Sequence, residues 1–282
     1  MNSDIPGFFI SAVVDEISLV SLATFGHLAE ALLVNCIFVV CGDSFQLPPI
    51  GQDAVRWQTL MQSSFLHDMC GGFRVTLRKF RRRQATEDPS IFVPGDFLHF
   101  SRVGSLYPSP GGSEDPTEAI RQAREWYPYN GEEVDTTLCV TNKRRILINE
   151  RENLRLSPPD ALTCTYDGVD PRAQSMRIWP GLVLSGGSTN RKLGLRHALS
   201  YTVETVDADW CTLRRDETSI TIETPQVASA FRLCHAITID SSQALTLHGR
   251  VLIIEASHGH FSLRRLIVAL GRSPSHELVY VQ

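Results

Sequence analysis

The chain has 282 residues, 43% hydrophobic and 21% charged, with a formal net charge of −4. That length carries two domains or one large one with a sizeable core, and the charge excludes a uniformly basic protein, so a nucleic-acid partner needs a local basic groove. Seven cysteines without a C-x-x-C pair read as a reducing, intracellular setting with no zinc site. The start, MNSDIPGFFISAVVDE, lacks the basic segment of a signal peptide, and no apolar run is long enough to span a membrane.

FFISAVV (8–14) reads as a buried strand, and SLATFGHLAEALL (21–33) as a helix with Ser21 as its cap. CIFVV (36–40) is the next strand, with Cys36 and Cys41 expected to be inert core thiols. Strand, helix and strand in that order imply a right-handed parallel crossover. Residues 56–69 read as a helix. RVTL then leads into the basic run RKFRRR (78–83), which is a solvated face in the plain reading. GSLYPSPGGSEDPT (104–117) reads as a linker or long surface loop. TTLCVTN (136–142) is a strand, and KRRILINERENLRL after it a helix. From about 178 to 226, short segments such as LVLSG, LSYTVETV, WCTLRR and SITIE read as small strands between turns. AITID (236–240) and RVLIIEA (250–256) return to buried strands, and FSLRRLIVALGRS (261–273) is an amphipathic helix. The expected outline is a partial α/β unit at 1–103, a linker or loop at 104–131, and a second α/β unit at 132–282 with a β-rich insert near 178–226.

Two strands end in polar groups, which on a parallel sheet points to a ligand site at the strand tips. Asp15 and Glu16 follow the first strand. In one reading they only end it in solvent; in the other Asp15 holds a magnesium ion through water and Glu16 orients or deprotonates an attacking water. GDSFQLPPI follows the second strand. Gly42 permits a tight turn, Asp43 caps the loop or bonds across it, Gln46 offers an amide to a phosphate or water, and Pro48 and Pro49 stiffen the backbone after it. Trp57, Trp126, Trp179 and Trp210 are open to base stacking or core packing, with at least two expected in the core. His258 and His260 show no metal spacing.

These residues resemble the motifs of superfamily-one helicases on the RecD/Pif branch. Asp15–Ser18 resembles motif II and Gly42–Pro49, G-D-x-x-Q-L-P-P, motif III. VTLRKFRRRQ (75–84) resembles motif IV, with Arg81 its best-placed arginine, and TNKRRILIN (141–149) the segment that opens the second RecA-like domain. AITIDSSQALTL (236–247) resembles motif V at Thr238, Asp240, Ser242, Gln243 and Thr246; LIVALGRS (266–273) resembles motif VI, with Arg272. Order and approximate spacing fit along nearly the whole chain, and G-D-x-x-Q-L-P-P is the most specific.

The resemblance implies an α/β chain of RecA-like, P-loop NTPase motor domains, the first incomplete, with a small β-barrel-like insert in the second. It implies ATP and Mg2+ as cofactors. Asp15 would hold the magnesium and Glu16 activate water. Gln46 would couple the γ-phosphate to bound DNA, and Arg81 and Arg272 would reach the phosphates, an arginine finger being worth roughly a thousandfold in rate. Gly42, Asp43 and Gln243 fall on the nucleotide side. Thr238 and Ser242, with Lys143 and Arg144 at a helix start, fall on the strand side. The implied partner is single-stranded DNA, with RNA the alternative, and the implied activity is ATP-driven 5′-to-3′ translocation and unwinding in DNA repair and recombination.

The chain departs from the pattern in places. It holds no G-x-x-x-x-G-K-[ST] loop to cradle phosphates. Ser241 stands where lysine is frequent, Ala244 where glycine is usual, and Gly271 where serine or threonine is usual. The resulting expectation is a fragment or split form of a helicase, its phosphate loop supplied by another segment or polypeptide. The alternative is a catalytically inactive nucleic-acid-binding remnant; an unrelated α/β hydrolytic enzyme would have to match the ordered motifs by chance. A first sheet short of strands leaves an exposed edge and an uncovered apolar face. The chain on its own is therefore expected to be poorly soluble, and a monodisperse monomer with one sharp thermal transition would contradict this.

Overall fold

The computed structural model describes residues 10–32, 36–43, 46–48, 59, 62–75, 97–108 and 115–282. The chain divides into two compact units, one of residues 1–116 with 262–271, the other of 117–261 with 272–282. The basic run 78–83, Arg81 and Trp57 lie outside the described residues.

In the first unit, β1 (Ile10–Val14) and β2 (Cys36–Val40) pair in parallel, with Ile10 opposite Cys36 and Val14 opposite Val40. They are joined through α1 (Leu22–Leu32). Ser21 is the expected cap, its Oγ accepting from the Thr24 amide at 3.2 Å. Phe25 of α1 and Phe38 of β2 are buried with Ile17 and with Leu66 and Met69 of α2 (Ser64–Met69). On the other face of the strand pair Val13 and Val39 lie opposite each other and are 72% and 53% exposed. Parallel sheets are normally covered on both faces. Cys41 is exposed just beyond β2 instead of lying in the core as expected, because the strand stops at Val40. On α3 (Phe97–Ser105), His99 is fully buried.

The second unit opens with α4 (Thr117–Trp126), inside the stretch 104–131 expected as linker or loop. Gly, Ser and Pro dominate the first half of that stretch, but Ile120, Ala123 and Tyr127 then recur at helical spacing, and Ala123 and Tyr127 are buried. Next come β3 (Thr136–Cys139) and α5 (Asn142–Leu156), followed by the β-rich stretch. A hairpin-like pair, β4 (Leu162–Cys164) with β5 (Met176–Ile178), precedes β6 (Val183–Gly186), β7 (Ser200–Val206), β8 (Trp210–Arg215) and β9 (Thr218–Glu223). After the short α6 (Val227–Ala230), β10 (Phe231–Leu233) joins these strands in an antiparallel sheet of order β10-β6-β7-β8-β9. Inward residues alternate with outward ones along β8: Cys211 and Leu213 are buried, Trp210 and Arg214 exposed. Leu184, Val203, Leu213, Phe231 and Leu233 form the centre of this core.

The chain then makes β11 (Ala236–Thr238) and β12 (Val251–Ile253), enters the first unit for α7 (Leu263–Leu270), and ends with β13 (Val279–Val281). β11, β3, β12 and β13 form a wholly parallel sheet in that order. The whole is thus a mixed α/β fold built on parallel sheet. Two expectations change. The strands expected at 236–240 and 250–256 are short, because the chain turns at Asp240–Ser242 and takes a left-handed step at Glu255. And α7, amphipathic in sequence as expected, is buried on nearly every side: Leu263, Arg264 and Leu266 through Leu270 are all buried. Among the described residues no helix is long and apolar enough to cross a membrane.

Gly186 ends β6 where the chain folds back closely, and a Cβ there would lie 2.1 Å from the Arg196 carbonyl oxygen. Gly186→Ala is expected to destabilise the second unit by about 1–3 kcal/mol, measured as a lower urea midpoint with an unchanged slope.

Candidate nucleotide site and nucleic-acid interface

The strand tips of the first unit are level. Cys41 donates its amide to the Val14 carbonyl at 2.8 Å, and Ile17 donates to the Cys41 carbonyl at 2.9 Å, so the ladder continues one step beyond both strands. Asp15 and Glu16 sit in this step. Glu16 is left-handed, with φ 49° and ψ 49°, and its amide donates to the Asp15 carboxylate at 2.9 Å. A non-glycine residue there costs about 1–2 kcal/mol, which the flanking ladder offsets.

Gly42 comes so close to this turn that a Cβ would lie 2.6 Å from Ile17 Cγ2 and 2.9 Å from the Ile17 nitrogen. Close approach, not the turn freedom expected from the sequence, is what requires glycine here. Asp43 bonds across the loop: its carboxylate accepts from the Tyr107 hydroxyl at 2.8 Å, and its carbonyl from the Gln46 amide at 3.1 Å. Gln46 has a buried side-chain oxygen with no partner among the described residues. Its carbonyl accepts from Arg264 Nη1 at 3.3 Å. Asp15, Glu16, Gly42, Asp43 and Gln46 therefore come together at one edge of one sheet.

In the second unit, the β11 end and the loop after it are closed by their own bonds. The Thr238 hydroxyl lies 2.8 Å from Ser241 Oγ and accepts from the Ser241 amide at 3.3 Å. Ser242 is fully buried and donates to the Ile239 carbonyl at 2.8 Å, so its hydroxyl braces the loop. Gln243 is buried, its side-chain nitrogen without a partner. Ala244 is left-handed, with φ 63°. Arg272 is buried; its Nη1 lies 3.4 Å from the Leu245 carbonyl, and its own carbonyl accepts from the Leu247 amide at 2.9 Å.

Lys143 and Arg144 lie elsewhere in this unit, exposed in the first turn of α5. β3, which leads into α5, pairs with β11 so that Cys139 faces Thr238, which puts both strand ends at the same edge of the sheet. Thr141 caps α5, its Oγ1 accepting from the Arg144 amide at 3.2 Å. Glu255, not among the residues singled out from the sequence, fixes this head: its carboxylate accepts from the Val140 and Thr141 amides at 2.8 and 3.2 Å and from the Thr141 hydroxyl at 3.3 Å. Its signal is the same as that of Asp15, an acid at the end of an apolar run. Arg264 was not singled out either; it is the buried one of two adjacent arginines on an otherwise apolar helix. Of the tryptophans, Trp210 is 53% exposed, Trp179 packs against the core of the antiparallel sheet, and Trp126 meets Tyr127 edge-on. Burial pushes the thiols of Cys139 and Cys164 up to about 12 and about 11, which leaves them unreactive. Among the described residues no cluster of three or more His, Cys, Asp or Glu could hold a metal.

No family model and no curated protein sequence matches the chain. Its similarity lies in three dimensions: the fold is similar to that of solved Pif1 helicases. A Pif1 helicase from Candida albicans superposes with TM-score 0.58 at 18% identity, over 96% of this chain and 72% of that one. The Pif1 helicase from Bacteroides in complex with ADP-AlF3 and single-stranded DNA gives TM-score 0.61 at 17% identity, over 96% and 70%. A structure of two coordinating Pif1 helicases at forked double-stranded DNA gives 0.62 at 18%, over 96% and 68%. At these identities the likeness is one of fold.

Ala244 is a non-glycine residue held in the left-handed region, with φ 63°. Ala244→Gly is expected to relieve about 1–2 kcal/mol of strain against about 0.4–1 kcal/mol of added unfolded-chain entropy. The expected outcome is a higher melting temperature of the second unit; a lower one would mean the left-handed turn is not strained.

Proposed function

We propose that the chain works as part of a Pif-type superfamily-one DNA helicase, hydrolysing ATP to move along single-stranded DNA and open duplexes. DNA repair and recombination inside the cell are the setting this reading implies. The observation that carries it is the placement of Asp15 and Glu16 beside Gly42, Asp43 and Gln46 at level tips of adjacent parallel strands. The Pif1-like fold supports it, as do the nucleotide analogue and single-stranded DNA bound by the Bacteroides protein of that fold.

The residues present fit a magnesium nucleotide. Asp15 is an exposed oxygen donor at a strand tip, the kind of ligand that holds magnesium together with substrate phosphates. The ion, when bound, neutralises charge on the transferring phosphoryl group. Glu16 accepts a proton from the attacking water, an effect on the order of a hundredfold or more. Gln46 meets the ligand with its amide, whose buried oxygen has no partner among the described residues. Arg272, braced against the Leu245 carbonyl, and Arg81 supply positive charge to the phosphates. The phosphate loop comes from a segment or polypeptide outside these 282 residues.

Lys143, Arg144 and Thr238 face the strand, which is DNA or, through the same contacts, RNA. Between Asp170 and Glu204 the sequence has no acid but several cations, and of these Arg191, Lys192 and Arg196 are exposed in the β6–β7 connection. In a chain of net charge −4, such segregation suits a phosphate backbone. A second reading, an inactive nucleic-acid-binding remnant, is favoured by one observation, the lack of any G-x-x-x-x-G-K-[ST] in the chain.

ATP hydrolysis by the purified chain, with and without single-stranded DNA and beside Glu16→Gln, separates the two. DNA-stimulated turnover that falls about a hundredfold or more in the variant is the expected result. Salt-sensitive DNA binding without turnover would favour the remnant, and neither binding nor turnover would overturn both readings.

A further inference from the structure

We propose that Arg145, Arg172 and Arg232 of the second unit form a binding site for a phosphate group, with Arg145 and Arg172 as its donors and Asp170 as the carboxylate that competes with it. The phosphate comes from a nucleic-acid backbone or from a free phosphate compound. Only the first source rests on the function proposed above.

Arg145 follows exposed Lys143 and Arg144 on α5 but is itself 6% exposed. Its Nε donates to Asn142 Oδ1 at 3.0 Å and its Nη2 to the Arg172 carbonyl at 2.7 Å. Both acceptors are neutral, and Nη1 has no partner among the described residues. A guanidinium stays charged, and a buried charge is costly unless it is paired and fully hydrogen-bonded. Here part of that pairing is missing.

Asp170, in the connection between β4 and β5, is the carboxylate bonded into the cluster, and it is already shared. Its Oδ1 accepts from the Arg172 amide at 2.9 Å and from Arg172 Nε at 3.1 Å, and its Oδ2 from Arg232 Nη2 at 2.7 Å. Asp167, the other acid of that connection, is exposed and bonds none of the three among the described residues. Three guanidiniums therefore share one carboxylate. Burial first, and then the Arg232 guanidinium, lowers Arg145 from its ordinary value; Arg172 adds to this and Asp170 works against it. An anion that enters relieves this repulsion.

The frame is fixed while one donor stays free. The Asp170 amide donates to the Tyr166 hydroxyl at 2.7 Å. Arg232 Nη1 is used on the Ser229 and Phe231 carbonyls at 2.9 and 2.7 Å. Gly187 lies against it, where a Cβ would stand 2.7 Å from that nitrogen. Arg172 has a 65% exposed side chain, and both its Nη groups are unbonded among the described residues. It opens the cluster to solvent. Paired N–H groups of a guanidinium match two oxygens of a phosphate, so Arg145 Nη1 serves as the inner donor and the Arg172 fork as the outer one.

Two probes are titrated against the full chain. One is fluorescein-labelled single-stranded DNA, followed by anisotropy over a series of salt concentrations; the other is inorganic pyrophosphate, followed by calorimetry. Arg172→Ala, which trims an exposed side chain, and Arg145→Met, which keeps the stem, are each expected to weaken binding about threefold or more. For DNA, each also lowers the slope of log K against log salt by about 0.7, one single-strand phosphate contact. Asp170→Asn releases the Arg172 fork and is expected to tighten binding by about twofold or more. Asp167→Asn, the same charge change in the same connection, leaves it unaltered. Effects confined to DNA identify backbone phosphates, and effects confined to pyrophosphate identify a free phosphate compound; either supports the site. Arg172→Ala decides alone where Arg145→Met does not fold. The site is overturned if Arg172→Ala changes neither probe, or if Asp170→Asn acts no differently from Asp167→Asn, since the arginines then only brace the chain. A wild type that binds neither probe overturns it as well. One that binds pyrophosphate but no DNA counts against the proposed function and leaves the pyrophosphate titrations to decide the site.

Discussion

Asn149 is fully buried on α5, and its side-chain amide does the work of a piece of backbone. It donates to the Leu233 and Ala236 carbonyls at 3.3 and 3.0 Å and accepts from the Ala236 amide at 2.7 Å. One helical turn on, Asn153 accepts from the Arg177 amide at 2.8 Å and donates to its carbonyl at 2.9 Å. A single helix is thereby stitched to the end of β10, the start of β11 and the middle of β5. Backbone groups at such junctions have no ladder partner, and leaving one buried and unpaired costs about 1–3 kcal/mol. A leucine at either position would fill the space and orphan the groups. The register of β11 against β3, and hence the place where Thr238 and its loop emerge, follows from these amides.

The parallel strands of both units are short, and their polar residues gather where they end. In the first unit the constraint is steric. The tips of β1 and β2 approach so closely that only glycine fits at 42. In the second it is electrostatic. Glu255 sits beneath the first turn of α5 and takes up two amides and a hydroxyl, which compensates a helix start that otherwise presents two cations, Lys143 and Arg144, toward the positive end of its dipole. Both arrangements hold a non-glycine residue, Glu16 or Glu255, in the left-handed region. Such strain persists where surrounding bonds over-determine the backbone, and it clusters at working sites.

Much of this was legible in the sequence because hydrophobic period and strand-end chemistry are local signals. β1, α1, β2, β3, α5 and the small strands from 183 to 223 stand where the pattern puts them. α4 was hidden by the Gly, Ser and Pro residues just before it. The burial of α7 was hidden by its arginines, which make a buried helix look amphipathic. Asn149 and Asn153 read as part of a polar face, because nothing local distinguishes an amide that faces water from one that replaces a strand partner. The roles of Gly42 and Glu255 depend on neighbours 25 and 115 residues away, beyond any window of periodicity. Arg81 and the basic run around it fall outside the described residues.

The loop after β11 is held from several sides. Ser241 meets Thr238 with both its hydroxyl and its amide. Leu245 donates to the Ser242 carbonyl at 3.0 Å, and Arg272 closes the far side through Leu245 and Leu247. The loop is therefore shaped by side chains and backbone contacts spread along it, not by its usual glycine. Free to relax, alanine at 244 would leave the left-handed region and recover about 1–2 kcal/mol; its neighbours hold it there. At Gly271 a Cβ would meet the Ile267 carbonyl oxygen at 3.1 Å, so a larger residue there needs the helix end to give by a few tenths of an ångström. The path of the chain past Thr238 and Gln243 is thus kept by hydrogen bonds from Ser241, Ser242, Leu245 and Arg272.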